Sequence, residues 1–76
     1  MNYDNTFVKL LPGAIVKTLL RQATSNKCLI DVDDSYFIVR DVKTSNVTFR
    51  GIKIKENIWG ITFEKKFWSE TDIPIK

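Results

Sequence analysis

Val47-Thr48-Phe49-Arg50-Gly51-Ile52-Lys53-Ile54-Lys55-Glu56-Asn57-Ile58-Trp59-Gly60-Ile61-Thr62-Phe63-Glu64-Lys65-Lys66 is the stretch whose reading decides the fold. Two runs rich in β-branched and aromatic residues flank Glu56-Asn57, and so short a connection makes them antiparallel neighbours. Pairing outward from that turn sets Ile54 against Trp59 and Ile52 against Ile61. One inserted residue near Arg50-Gly51 then sets Phe49 against Phe63. Glycine is a natural bulge residue, and a bulge here repairs the phase break between Val47/Phe49 and Ile52/Ile54. The expectation is a hairpin with one core face and one wet face, the wet one carrying Thr48, Lys53, Lys55, Gly60, Thr62 and Glu64, with Arg50 near the bulge.

Upstream, the same period-2 pattern recurs in Lys27–Val32 and Tyr36–Val42, separated by Asp33-Asp34-Ser35 and followed by Lys43-Thr44-Ser45-Asn46. These short polar separators extend the hairpin into a four-stranded meander over residues 27–66. In Cys28-Leu29-Ile30 and Tyr36-Phe37-Ile38-Val39 apolar groups fall on both faces, which predicts burial from two sides and a strongly bent sheet or a covered edge. Arg40-Asp41 interrupts the alternation and marks a second irregularity. Earlier still, Ala14, Ile15, Val16, Leu19, Leu20 and Ala23 recur at helical spacing, opposite Lys17, Arg21, Gln22 and Ser25, so residues 12–25 read as an amphipathic helix. Pro12 suits its first position and Asn26 a left-handed residue past its end. Residues 1–11 form an extended arm or edge strand around Thr6–Leu10, and residues 67–76 an extended tail that can add along a sheet edge.

The expected fold class is therefore α+β, a single domain over residues 1–76: an N-terminal amphipathic helix packed on a strongly bent, four- to five-stranded antiparallel meander. At the level of architecture this resembles the small SH3-like and Sm-like barrels.

Seventy-six residues make one small domain. With no His, one Cys and one Met, the chain lacks the means for histidine-based catalysis, a Cys/His zinc site or an internal disulfide. Asp31, Asp33 and Asp34 begin like a calcium loop, but Tyr36 stands where that loop needs Gly and Val42 where it needs a bidentate Glu, so a solvated turn is the reading. Cys28, beside Leu29 and Ile30, reads as a small buried hydrophobe without a base to activate it. Neither a cofactor, a metal nor an enzymatic activity is expected. No apolar run reaches the roughly 20 residues of a membrane helix. The N-terminus lacks the basic and apolar regions of a secretory signal, so a cytoplasmic protein is expected.

The formal net charge is +3. Segment by segment it is +2 over residues 1–26, −1 over residues 27–46 and +2 over residues 47–76. The candidate site lies in the last third, where Arg50, Lys53, Lys55, Lys65 and Lys66 interleave with Phe67 and Trp68. Such a set can anchor a protein partner, or can hold phosphates while rings stack bases. By elimination the chain is expected to be a non-catalytic binding module, a small regulator or inhibitor of the kind phages and mobile elements encode. Its expected action is to cover a functional surface of a protein target such as a restriction or CRISPR enzyme. Heavy use of Ile, Lys, Asn and Phe motivates that association. The alternative is an RNA- or single-stranded-DNA-binding barrel using the basic residues of the last hairpin, and a third reading is a homo-oligomer that closes its own edges.

Overall fold

The computed structural model describes residues 5–74. Their elements are β1 (Thr6–Pro12), α1 (Gly13–Ser25), β2 (Leu29–Val32), β3 (Tyr36–Arg40), β4 (Val47–Lys55), β5 (Ile58–Glu64) and a short 3-10 turn at Glu70–Asp72. The five strands form one antiparallel sheet in the order β1-β5-β4-β3-β2. The meander of four strands is as the sequence predicts, and the arm is a fifth strand, paired with β5 along its whole length from Thr6↔Glu64 to Pro12↔Ile58. Two expectations are corrected. The helix follows a strand rather than opening the fold, and the sheet does not close into a barrel, because β1 and β2 stand at its opposite edges. Helix α1 links those edges by crossing one face of the sheet.

That face holds the core. Alternation points Phe7, Phe63, Phe49, Val39 and Ile30 toward the helix in one row, and Ile61 and Phe37 in the next. Val16, Leu19 and Ala23 descend onto them from α1. Phe49 sits at the centre, stacked on Phe63 with ring centroids 5.7 Å apart and edge-on to Phe37 at 5.8 Å. After β5 the chain turns back on itself, with the amides of Phe67 and Trp68 both donating to the carbonyl of Glu64. The turn lays Trp68 against Phe49 and Phe63 at 5.2 and 5.1 Å. Ile73 is then buried at the margin of the core, so residues 70–73 cap the core instead of extending along an edge. The expected strand character of residues 75–76 lies outside the described residues.

Both helix ends are held by unusual means. Pro12 is the residue before the first turn, one position earlier in role than its expected place, and offers no side-chain cap. Instead the Gly13 amide donates to the backbone carbonyl and to Oδ1 of Asn57, both at 3.2 Å, so the β4–β5 turn supplies the missing acceptors. At the other end Lys27 donates to Thr24 and Cys28 to Ala23, a Schellman closure in which Lys27, not Asn26, is left-handed with φ 62°. A side chain there costs roughly 1 kcal/mol that glycine avoids. Lys27→Gly should therefore raise stability by about 0.5–1 kcal/mol, a gain of several degrees in the melting temperature by circular dichroism.

Candidate functional site

The hairpin register is the main departure from expectation, and it creates the site. Phe49 pairs with Phe63 as expected, but Gly51 faces Ile61 and Lys53 faces Trp59; the irregularity falls between Lys53 and Lys55 and leaves Ile54 as the extra residue. Gly51 is thus a core position rather than a bulge. A Cβ on it would stand 2.5 Å from two ring atoms of Phe37 and 2.7 Å from Cδ1 of Ile61. The Phe37 ring occupies the volume a side chain at 51 would need, and only glycine lets it cross β4. With Gly51 turned inward, Ile52 turns outward.

The same alternation fills the sheet's second face with apolar groups. One row across four of the five strands, β1, β5, β4 and β3, is Leu10–Gly60–Ile52–Tyr36, uncharged up to the turn that carries Asp33 beside Tyr36. The next is Val8–Thr62–Arg50–Ile38–Asp31, with one charge of each sign. Ile54, released by the bulge, leans over Gly60: a Cβ on that glycine would meet the Ile54 Cδ1 at 2.9 Å. Nothing among the described residues covers this face. Leu10 is 65%, Val8 61%, Ile52 60% and Ile54 53% exposed. Between the strands lies a depression of about 260 Å³ bordered by Tyr36, Ile38, Arg50, Ile52, Gly60 and Thr62. The solvated face of an antiparallel sheet is ordinarily polar; this one is a contiguous apolar platform. The two-sided apolar pattern of Tyr36–Val39 expected from sequence is present, but its second side faces solvent.

The basic and aromatic residues of the last third do not form one patch. Arg50 stands in the open face beside the depression. Lys53 projects from the helix side of the sheet in the row of Leu11 and Trp59, and Lys55 lies at the turn. Lys65 and Lys66 follow the far end of β5, roughly 20 Å away at about 3.4 Å per strand residue. Trp68 is a half-buried core aromatic rather than an exposed anchor, and Phe67 is partly exposed beside it. Thr48, expected on the wet face, is buried and donates through Oγ1 to the Val39 carbonyl at 3.3 Å. It is the extra residue of a register shift at Val39/Arg40, where the second irregularity was expected.

A smaller recess of about 240 Å³ lies on the helix side between Cys28, Asp41, Thr48, Phe49, Phe67 and Trp68. Two of its polar side chains, Asp41 and Thr48, are already hydrogen-bonded within the fold. Asp41 Oδ2 accepts from the amides of Lys43 and Thr44 and from the Thr44 hydroxyl at 3.0–3.1 Å, organising the loop between β3 and β4. The Thr44 amide above all holds the Asp41 carboxyl below its ordinary range. Burial, with a lesser push from the Asp41 charge, raises the Cys28 thiol above its ordinary value. Asp33 and Asp34 form the solvated turn expected of them, the Asp34 amide donating to Asp33 Oδ1 at 2.7 Å. An ion pair joins Lys9 to Glu70 at 3.4 Å on the surface, a contact of about 0–1 kcal/mol. No helix among the described residues is long and apolar enough to cross a membrane.

Comparison of the chain with models of known families, with curated proteins and with solved structures found no match.

Proposed function

We propose that this chain is a non-catalytic protein-binding module of the regulator or inhibitor kind, which acts by covering a functional surface of a protein target with the open face of its sheet. The observation that carries the reading is the exposed row Leu10–Gly60–Ile52–Tyr36, flanked by Val8, Ile38 and Ile54. An apolar platform of this extent is costly to keep in water and favours association. Tyr36 and Arg50 border its depression, the two residue types that with Trp most often anchor protein interfaces. The composition bias toward Ile, Lys, Asn and Phe keeps phage or mobile-element regulators of nucleic-acid-processing and defence enzymes as the class in view.

The nucleic-acid reading loses support from the scattering of its residues, since a phosphate-tracking surface needs its cations on one face and Lys53, Lys55, Lys65 and Lys66 lie at opposite ends of the hairpin. Three baits separate the two readings in one affinity capture: wild type, Tyr36→Ala/Ile52→Asp and Lys53→Glu/Lys55→Glu. The proposal expects one stoichiometric protein on the first and third baits, its affinity reduced about 30- to 900-fold on the second, as loss of two anchors of ~1–2 kcal/mol each implies. Nucleic acid recovered instead, lost with the lysine variant and with rising salt, would sink it.

A further inference from the structure

We infer that the recess on the helix side of the sheet, between Asp41 and the rings of Phe49, Phe67 and Trp68, binds an alkylammonium head group. It lies across the sheet from the open face and stands independently of the function proposed for that face. Phe49, almost fully enclosed, forms its floor, and Trp68 meets Phe49 at 76° with centroids 5.2 Å apart, so the two rings make a corner rather than a flat wall. Phe67, 39% exposed, reaches the rim. Among the described residues the lining carries one charge, that of Asp41, in a chain whose net charge is +3.

That carboxylate is fixed in place. The Asp41 amide donates to the Asn46 carbonyl and its own carbonyl accepts from the Ser45 amide, both at 2.8 Å, while Oδ2 takes the three bonds from Lys43 and Thr44. Oδ1 accepts no hydrogen bond among the described residues, and Asp41 forms no ion pair there. Its charge is felt in the recess at Cys28, whose thiol is raised by burial first and by Asp41 second. Other ligand classes fail on these groups. An anion finds no cation in the lining and is repelled by Asp41. A neutral apolar group would strip water from the carboxylate without replacing it. A cation with an apolar shell suits both, because the rings attract it through their quadrupoles and the carboxylate neutralises it. Gln22 and Asn26 add carbonyl oxygens for any N–H the head group carries. At about 240 Å³ the recess is smaller than the roughly 300–1,000 Å³ that encloses a whole small molecule, so it admits a head group, either of a free amine or of a lysine side chain on a partner.

Nitrogen–proton correlation spectra of the whole chain, at constant ionic strength, test this with choline and with 3,3-dimethylbutan-1-ol, which has the same shape with carbon in place of the charged nitrogen. The two tryptophans give two indole signals, Trp68 in the recess and Trp59 near the start of β5 as an internal control. The expected result is a saturable shift of the Trp68 indole and of the Asp41 and Thr48 amides, with a midpoint of about 1–10 mM for choline and at least about 10-fold higher for the alcohol. Trp59 stays unmoved. Asp41→Asn, which keeps an acceptor for the loop amides, and Phe67→Ala, which removes an exposed ring, should each raise the choline midpoint at least about 5-fold. Loss of binding in either variant, with the remaining signals in place, sustains the inference. No saturable shift up to ~100 mM, equal binding of the alcohol, or choline binding that survives both substitutions overturns it. A third probe, Nα-acetyl-lysine methylamide, separates the sources: tighter binding than choline assigns the recess to a partner's lysine side chain, weaker binding to a free amine, and either sustains the head-group assignment.

Discussion

Gly51→Val should leave the chain without a cooperative melting transition, whereas Gly60→Ala, nine residues along the same hairpin, should melt within about 1 kcal/mol of wild type. The two glycines face opposite sides of the sheet. A Cβ at 51 runs into the Phe37 ring at 2.5 Å and Ile61 at 2.7 Å, and both of those side chains are fully enclosed, at 1% and 0% exposure. Neither can retreat without opening the core, where overpacking typically costs about 1–3 kcal/mol and more when, as with the three carbons of valine here, the space is already filled by a ring. At 60 the obstruction is the outer end of Ile54, an exposed side chain with solvent to move into. Far-UV circular dichroism against temperature reads both. Equal melting of the two variants would mean that Gly51 does not face the core.

Phe49→Ala should cost about 4 kcal/mol, read as a fall in the urea midpoint at constant slope. The ring is 1% exposed and touches Phe37, Phe63 and Trp68, so truncation opens a cavity that three other aromatics border and cannot fill without leaving their own contacts. A domain of 76 residues sits low in the usual 5–15 kcal/mol range, and this one change takes most of its margin. Phe67→Ala, which removes a ring that is 39% exposed, should cost less than about 1.5 kcal/mol. A reversal of that order would contradict the placement of the aromatic cluster.

The contrast between these positions shows what was legible in the sequence. Helix α1 and strands β4 and β5 follow from local periodicity, within a residue or two at their ends, because alternation and helical spacing are local signals. The bulge was not legible. Placing the extra residue at Arg50-Gly51 or at Ile54 gives two hairpins that both pair Phe49 with Phe63, and glycine's preference for bulges favoured the wrong one. What decides between them is the Phe37 ring, brought in from β3, which needs the empty volume at Gly51. The error inverted the faces: Ile52 and Ile54 moved to solvent and Lys53 to the helix side.

Other misses share that non-local origin. Strand β1 alternates Val8 and Leu10 with Phe7 and Leu11, apolar on both sides, so nothing in its pattern names a solvent face or a partner 50 residues away. The basic residues of the last third are close in sequence, but an extended hairpin carries them to opposite ends, which composition cannot show. Trp68 follows the final strand, a place from which it can either cap the core or stand exposed as an anchor; the Glu64 carbonyl, accepting from two amides, turns it back onto the core. The open face thus became visible only after the register was known, and the function proposed for that face depends on that register.

Cross-strand nuclear Overhauser contacts of the Ile61 backbone test it most directly, and are unaffected by whether a partner covers the face. The account predicts contacts from Ile61 to Gly51 on β4 and to Lys9 on β1, with Ile52 in contact with Gly60. Contacts from Ile61 to Ile52 would return Ile52 to the core and contradict the existence of the apolar platform.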